Sequence, residues 1–143
     1  MTGTDLAALR QQLARHEGLR LKVYRCTSGK LTIGYGRNLE DRGITEDEAA
    51  ILLDNDITDT IRTLSHAFEW FDDLSPIRQR VLVDMAFNLG IGGLRKFRRF
   101  LGALSRHEYE AAAQEMLTSK WARQVKGRAQ RLATMLETGL DVA

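Results

Sequence analysis

One stretch, residues 16 to 36, constrains the fold more than any other part of the chain. Before it, apolar residues recur at spacings of three and four, a period that predicts a helix. These residues are Leu6, Leu9 and Leu13. The next position on that helical face is Glu17, an acid where an apolar residue would be expected. Gly18 follows, and glycine ends helices readily. The pattern therefore predicts a carboxyl group at the last turn of an N-terminal helix.

The residues after Gly18 alternate between apolar and polar side chains in two short runs, as β-strands do. The runs lie within 21 to 24 and 31 to 35, and the polar segment 26 to 29 separates them. Two such runs joined by a turn that contains glycine predict a β-hairpin. Because the hairpin follows the helix directly, it can fold back beside the helix end and form a small cleft. Glu17, Cys26 and Thr32 could then converge.

The spacing of these three residues resembles the motif of the phage-type lysozymes, glycoside hydrolase family 24. Eight residues separate Glu17 from Cys26, and five separate Cys26 from Thr32. That family has a catalytic Glu, then an Asp or sometimes a Cys, then a Thr at the same intervals. The flanking segments also match, and the resemblance continues over nearly the whole chain. The further matches are the helix at Thr45, the run Phe87-Asn88-Leu89-Gly90, and Ser119-Lys120-Trp121 with Arg128 seven residues later.

The resemblance implies an inverting glycosidase, in which a carboxylic acid protonates the leaving oxygen and a second group activates water. Glu17 takes the place of the acid, Cys26 that of the group that orients or deprotonates the water, and Thr32 that of the hydroxyl that holds it. The two reacting groups should stand about 6.5 to 9.5 Å apart. Cys26 departs from the commoner Asp. A thiol with an ordinary pKa of about 8.5 is a poor base at neutral pH, unless a cation lowers that pKa.

The resemblance also implies residues that bind the substrate or support the acid. Gly36, Phe87 and Asn88 are expected in the cleft, Ser119 and Lys120 near the peptide arm of the substrate, and Arg128 in an ion pair with Glu17. Each also has a purely structural interpretation. Phe87 suits a core aromatic, the polar residues suit helix ends, and Arg128 suits a solvated position on a basic helix. Trp121 is expected to belong to the core. Cys26 would likewise suit a small buried position, and Thr32 an ordinary strand position.

The remaining sequence predicts an α+β fold that is mostly α-helical. Thr45 and Glu48 form a capping box, and Pro76 stands at the first position of another helix. Glycines within 90 to 93 are expected to break that helix, and a second capping box, at 105 to 108, is expected to open a later one. The helices predicted after the hairpin lie at 45 to 67, 76 to 89, 94 to 104, 108 to 117 and 127 to 137, and Gly139 is expected just past the end of the last. Residues 37 to 43 are expected to be a short connection.

The resemblance implies how these elements are arranged. A single lysozyme-like domain is expected over residues 1 to 143, with two lobes. One lobe holds the hairpin at about 15 to 45, a linking helix follows at about 45 to 67, and a larger helical lobe covers about 70 to 143. The N-terminal helix is expected to join the larger lobe.

Composition excludes several kinds of site. A single cysteine excludes an intrachain disulfide and a thiolate-rich zinc site, and the three histidines show no ligand spacing, so no metal or cofactor is expected. No apolar run is long enough to span a membrane, and the N-terminus shows no secretory signal. Residues 1 to 75 carry 9 Lys and Arg against 13 Asp and Glu, whereas residues 76 to 143 carry 12 against 6. The second half therefore favours anionic partners.

These observations lead to one expected function and one alternative. The expected function is a muramidase that cleaves the β-1,4 bond between N-acetylmuramic acid and N-acetylglucosamine in peptidoglycan. The resemblance implies a phage or prophage endolysin, a monomer that stays in the host cytoplasm until a holin opens the way to the periplasm and wall. The alternative is a non-enzymatic module whose basic helix, 94 to 104, binds nucleic acid, membrane or anionic cell wall. Nucleic acid is not favoured, because no aromatic residues interleave the cations for base stacking.

Overall fold

The structure is a computed structural model that describes residues 1 to 142. The chain divides into two compact units after Leu52. Helices dominate, and the strands of the described residues form one three-stranded antiparallel sheet in the order β1-β2-β3. This confirms the predicted mostly helical α+β class. The predicted division into lobes stays a prediction.

The first unit begins with helix α1, Gly3–Glu17, and continues into the sheet. A capping box between Thr2 and Asp5 starts α1, and Gly18 ends it at a φ of 73°. The strands are β1, Arg20–Arg25, β2, Leu31–Gly34, and β3, Arg37–Asn38. The predicted helix end and the predicted hairpin are therefore confirmed, and Glu17 is the last residue of α1.

The segment after β2 corrects one prediction. Residues 37 to 43 were expected to be a plain connection, but they form β3 and a single-turn helix, α2, Leu39–Arg42. The side chain of Asn38 accepts a hydrogen bond of 3.0 Å from the backbone N–H of Asp41 and so caps this turn. Gly43 ends the turn at a φ of 63°. The third strand was missed because its pairing to β2 depends on register rather than on a local pattern.

Helix α3, Glu46–Ala67, begins in the first unit and ends in the second. Its predicted capping box is confirmed, because Glu48 N–H donates to the Thr45 hydroxyl at 3.1 Å and Thr45 N–H donates to the Glu48 carboxylate at 2.8 Å. The Arg37 guanidinium also donates two hydrogen bonds to the Glu48 carboxylate. That pair fastens β3 to the start of α3.

The second unit is helical and holds the core of the described residues. After a short 3₁₀ turn, Phe71–Asp73, its helices are α4, Pro76–Arg95, α5, Arg98–Ser105, α6, Tyr109–Leu117, α7, Lys120–Val125, and α8, Gly127–Thr138. Fully buried side chains from these helices pack together, among them Leu82, Met85, Leu104, Met116 and Leu136. Each such burial contributes roughly 1.5 to 3 kcal/mol of transfer free energy. The last helix and Gly139 just after it are confirmed.

Two boundaries in the second unit correct the predictions. Helix α4 kinks at Gly90, where φ is 71° and ψ is 162°, but it resumes and runs on to Arg95. The basic helix therefore begins at Arg98 rather than at residue 94. The capping box predicted at 105 to 108 is wrong, because Ser105 ends α5 and its hydroxyl donates to the Gly102 carbonyl at 2.6 Å. No described helix is both long enough and apolar enough to cross a membrane.

Candidate active site

Glu17 lies at the C-terminal end of α1, with its carboxylate against the backbone of Gly36. A Cβ on residue 36 would lie 2.6 Å from Glu17 Oε2, closer than real Cβ atoms come, and the φ of Gly36 is +75°. Both facts require glycine at position 36. The structure therefore brings together two of the predicted site residues.

Cys26 lies in the turn between β1 and β2, and its thiol is part of a small hydrogen-bond cluster. The Sγ atom lies 3.1 Å from the hydroxyl oxygen of Ser28. Hydrogen bonds from the Ser28 hydroxyl first, then from the backbone N–H groups of Lys30 and Ser28, lower the pKa of Cys26 from 9.0 to about 7. A cation was expected to lower the pKa of this thiol, but hydrogen-bond donors in the turn lower it instead by stabilising the thiolate.

Thr32 stands in the central strand of the sheet and is 2% exposed. Its hydroxyl donates to the Lys30 carbonyl at 2.8 Å, and the same hydroxyl contributes weakly to lowering the pKa of Cys26. Across the sheet, Thr32 pairs with Tyr24 on one side and with Asn38 on the other. The turn thus brings Cys26 and Thr32 together, and the Thr32 hydroxyl oxygen still has lone pairs to accept a bond from water.

Ser28 is the functional candidate that the sequence reasoning missed. The sequence showed only a hydroxyl residue two positions after the cysteine, in a turn that ends with glycine. The turn is closed by Cys26 N–H donating to the Lys30 carbonyl at 3.0 Å and by Gly29 N–H donating to the Cys26 carbonyl at 2.8 Å. This closure holds the hydroxyl of residue 28 over the sulfur. A Cys-x-Ser spacing in a turn could have indicated that contact.

The predicted residues of the second unit have partners there that the sequence did not reveal. Asn88 accepts a hydrogen bond of 2.8 Å from the indole N–H of Trp121, which is 5% exposed and confirms that Trp121 belongs to the core. Phe87 is 45% exposed and lines a cavity of about 710 Å³. The hydroxyl of Ser119 donates to the Met116 carbonyl and accepts from Ala122 N–H, so it caps α7. Their roles in substrate binding stay predictions.

Arg128 forms its ion pair with Asp84. The Nε–H of Arg128 donates to Asp84 Oδ1 at 2.7 Å, and Nη2 donates to the Asp84 carbonyl oxygen at 3.3 Å. Asp84 was not singled out in the sequence, because it lies 44 residues away with no motif to link the two. The predicted ion pair between Arg128 and Glu17 stays a prediction.

The described residues offer no cluster of side chains suited to a metal ion. Among residues 1 to 142, no three side chains of His, Cys, Asp or Glu are grouped so that they could hold one. The first unit offers the carboxyl group of Glu17, the thiol of Cys26 with its lowered pKa, and the buried hydroxyl of Thr32. Such a set can donate a proton at one atom and accept one at another.

Comparisons with known proteins agree with this combination of fold and side chains. The family model described as phage lysozyme matches residues 14 to 137. This chain therefore belongs to the phage lysozyme family. The probable T4-type lysozyme 1 of Dictyostelium discoideum is 24% identical over 94% of this chain and 96% of that protein. The endolysin of Acyrthosiphon pisum secondary endosymbiont phage 1 is 30% identical over 78% of this chain and 75% of that protein.

A longer relative matches as well. The pre-baseplate central spike protein Gp5 of Enterobacteria phage T4 is 31% identical over an alignment of 160 positions. That alignment covers 92% of this chain but only 28% of the spike protein. The chain thus spans little more than a quarter of that relative.

Proposed function

We propose that this chain is a muramidase that hydrolyses the β-1,4 bond between N-acetylmuramic acid and N-acetylglucosamine in peptidoglycan. The observation that carries the proposal is that one small unit holds both a helix-terminal carboxyl group, set against Gly36, and a thiol whose pKa is lowered to about 7 by hydrogen bonds. Membership of the phage lysozyme family supports the same activity. Catalysis needs no metal in this account.

Glu17 is the general acid. It donates its proton to the glycosidic oxygen as the bond from that oxygen to the anomeric carbon breaks. At Gly36 any Cβ would lie 2.6 Å from Glu17 Oε2, so glycine keeps this side of the carboxylate free of side-chain atoms. After the reaction Glu17 is a carboxylate and regains its proton from solvent.

Cys26 is the base, and Thr32 holds the water. The thiolate of Cys26 accepts a proton from the water while the water oxygen forms a bond to the anomeric carbon on the face opposite the leaving group. Thr32 accepts a hydrogen bond from that water, because its own hydroxyl proton is committed to the Lys30 carbonyl. The configuration at the anomeric carbon inverts. Attack by the sulfur itself, which would form a thioglycosyl intermediate and retain the configuration, is the competing route.

Membership of the family supports the wider roles proposed for other residues. Phe87, Asn88, Ser119 and Lys120 bind the glycan or its peptide. Arg128, which pairs with Asp84, is the residue that the family resemblance assigns to an ion pair with Glu17. The partner is bacterial peptidoglycan, and the chain acts as a monomeric endolysin. It waits in the host cytoplasm until a holin admits it to the periplasm. One of its relatives carries the name endolysin.

The direct test is release of reducing sugar from purified peptidoglycan without added metal. Glu17→Gln keeps the shape of the side chain but removes the proton donor, so turnover should fall by at least about 10². Glu46→Gln, an exposed acid in the first turn of α3, is the matched control and should act like the parent protein. If Glu17→Gln retains more than about a tenth of the parent activity, Glu17 is not the general acid.

A further inference from the structure

A second group of side chains lies in the second unit, apart from the carboxyl group and thiol of the first. A groove of about 380 Å³ is formed by the start of α5, the end of α6 and the start of α7. Four cations line it, and Glu115 is the one acid among its lining residues. The cations are Lys96, Arg98, Arg99 and Lys120. The groove is therefore strongly positive.

Within residues 1 to 142 these cations form no ion pair. None of the four forms an ion pair with any described residue, whereas Arg37, Arg80, Arg106 and Arg128 each do. All four are exposed at the rim. The floor is apolar, because Phe100 is 1% exposed and Trp121 is 5% exposed. The groove thus combines four cations that form no described ion pair with a single acid and an apolar floor.

We propose that this groove binds phosphate groups, and that it holds the protein on a phosphate-bearing component of the cell envelope. A single carboxylate is satisfied by the planar fork of one arginine. Four cations around one groove suit instead an anion that carries more than one charge and presents oxygens in several directions, as phosphate does. Ser119 also lines the groove, but its hydroxyl proton is donated to the Met116 carbonyl, so it has no proton left to donate to an anion. The recognition is therefore ionic.

The idea that the ligand belongs to the envelope rests on the proposed function, but phosphate binding itself does not. Binding can therefore be measured on Glu17→Gln, in which the proposed hydrolysis is blocked. Failure to hydrolyse peptidoglycan would leave the groove untouched. Failure to bind phosphate would leave the assignment of the acid untouched.

The experiment measures binding of tripolyphosphate by calorimetry at low salt, with citrate as a polyvalent carboxylate for comparison. The test variant is Arg98→Gln with Arg99→Gln. Its control is Arg10→Gln with Arg42→Gln, which removes the same charge from exposed positions of the first unit. The test variant should bind tripolyphosphate about tenfold more weakly than the parent or worse, and the control should stay within about twofold. Citrate binding as tight as tripolyphosphate, or equal loss in both variants, would overturn the proposal.

Two further probes distinguish the source of the phosphate. One is a vesicle of phosphatidylglycerol, compared with phosphatidylcholine, and the other is a soluble glycerol phosphate polymer. Binding to either that is lost in the test variant supports the proposal and says whether the phosphate belongs to a lipid or to a polymer. Binding to neither would contradict it. So would tighter binding to a single-stranded oligonucleotide than to both, because that would favour nucleic acid as the partner.

Discussion

The contact between Ser28 and Cys26 allows a quantitative test of how the thiol works. In Ser28→Ala the largest of the influences that lower the pKa of Cys26 is lost, while the backbone donors remain. We assume that the Ser28 hydroxyl accounts for about half of the decrease in the thiol pKa from 9.0 to about 7. The thiol pKa of the variant is then about 8. The thiolate fraction at pH 7 then falls from about a half to about a tenth.

The ratio of variant to parent activity is the informative quantity, because titration of the acid affects both proteins equally and cancels. If the thiolate is the working form, the ratio should be about 0.1 at pH 5, about 0.2 at pH 7 and about 0.9 at pH 9. If the neutral thiol merely orients water, the ratio should instead rise from about 1 at pH 5 to about 9 at pH 9. The two mechanisms therefore predict opposite slopes.

The assay follows release of reducing sugar over this pH range, with the thiol pKa of each protein measured separately by the pH dependence of alkylation with iodoacetamide. Thr27→Ala is the matched control, since it removes a neighbouring hydroxyl of the same turn that does not contribute to the pKa of Cys26. A ratio near 1 at every pH, together with a raised thiol pKa in Ser28→Ala, would refute the role of the thiolate and make Cys26 a spectator.

Three other predictions concern the same unit. Cys26→Ala and alkylation of Cys26 should each abolish most of the activity, while Cys26→Asp should keep a substantial share and extend it to lower pH; full activity after alkylation would remove Cys26 from the mechanism. Gly36→Ala should reduce turnover by about tenfold or more, because its Cβ would collide with Glu17. Gly43→Ala is the control for backbone strain alone, because Gly43 has a similar positive φ of +63° and nothing within 4 Å of its Cβ position. Equal losses of activity in the two variants would contradict the contact between residue 36 and Glu17. The bonds from Arg37 and from Thr45 N–H lower the pKa of Glu48 from 4.5 to about 2, so the stabilisation is complete above pH 4.5 and is lost as pH falls toward 2. In Glu48→Gln the melting temperature at pH 7 should be lower and this acid dependence weaker, and parallel pH profiles would show that the pair contributes nothing.

The sequence predicted the parts of this fold that local patterns encode. The end of α1 at Gly18, the hairpin, the Thr45 capping box and the Gly139 helix end each depend on residues within a few positions of one another. The short strand β3 carries no such pattern, because its place is set by pairing with β2. The capping box predicted at 105 to 108 was wrong for the opposite reason. The local pattern was present, but α5 continues as far as Ser105 instead of ending before it.

The candidate site divides along the same line. Glu17, Cys26 and Thr32 were found by spacing alone, but the partners that set their properties were not. The Ser28 hydroxyl contacts Cys26 because of the shape of the turn. Asp84 pairs with Arg128, 44 residues away, and Trp121 donates a hydrogen bond to Asn88, 33 residues away. Pairs so distant are determined by packing, so a single sequence does not reveal them.

In the proposed mechanism Glu17 and the Cys26 thiolate act on opposite sides of the glycosidic bond with a water between them. The stereochemistry of the product distinguishes this mechanism from attack by the sulfur. Proton NMR during the first minutes of hydrolysis reports the configuration of the newly formed reducing end before mutarotation scrambles it. Attack by water from the opposite face inverts the configuration, so the β-linked substrate should first release the α-anomer. Release of the β-anomer would contradict this mechanism and assign the sulfur of Cys26 as a nucleophile.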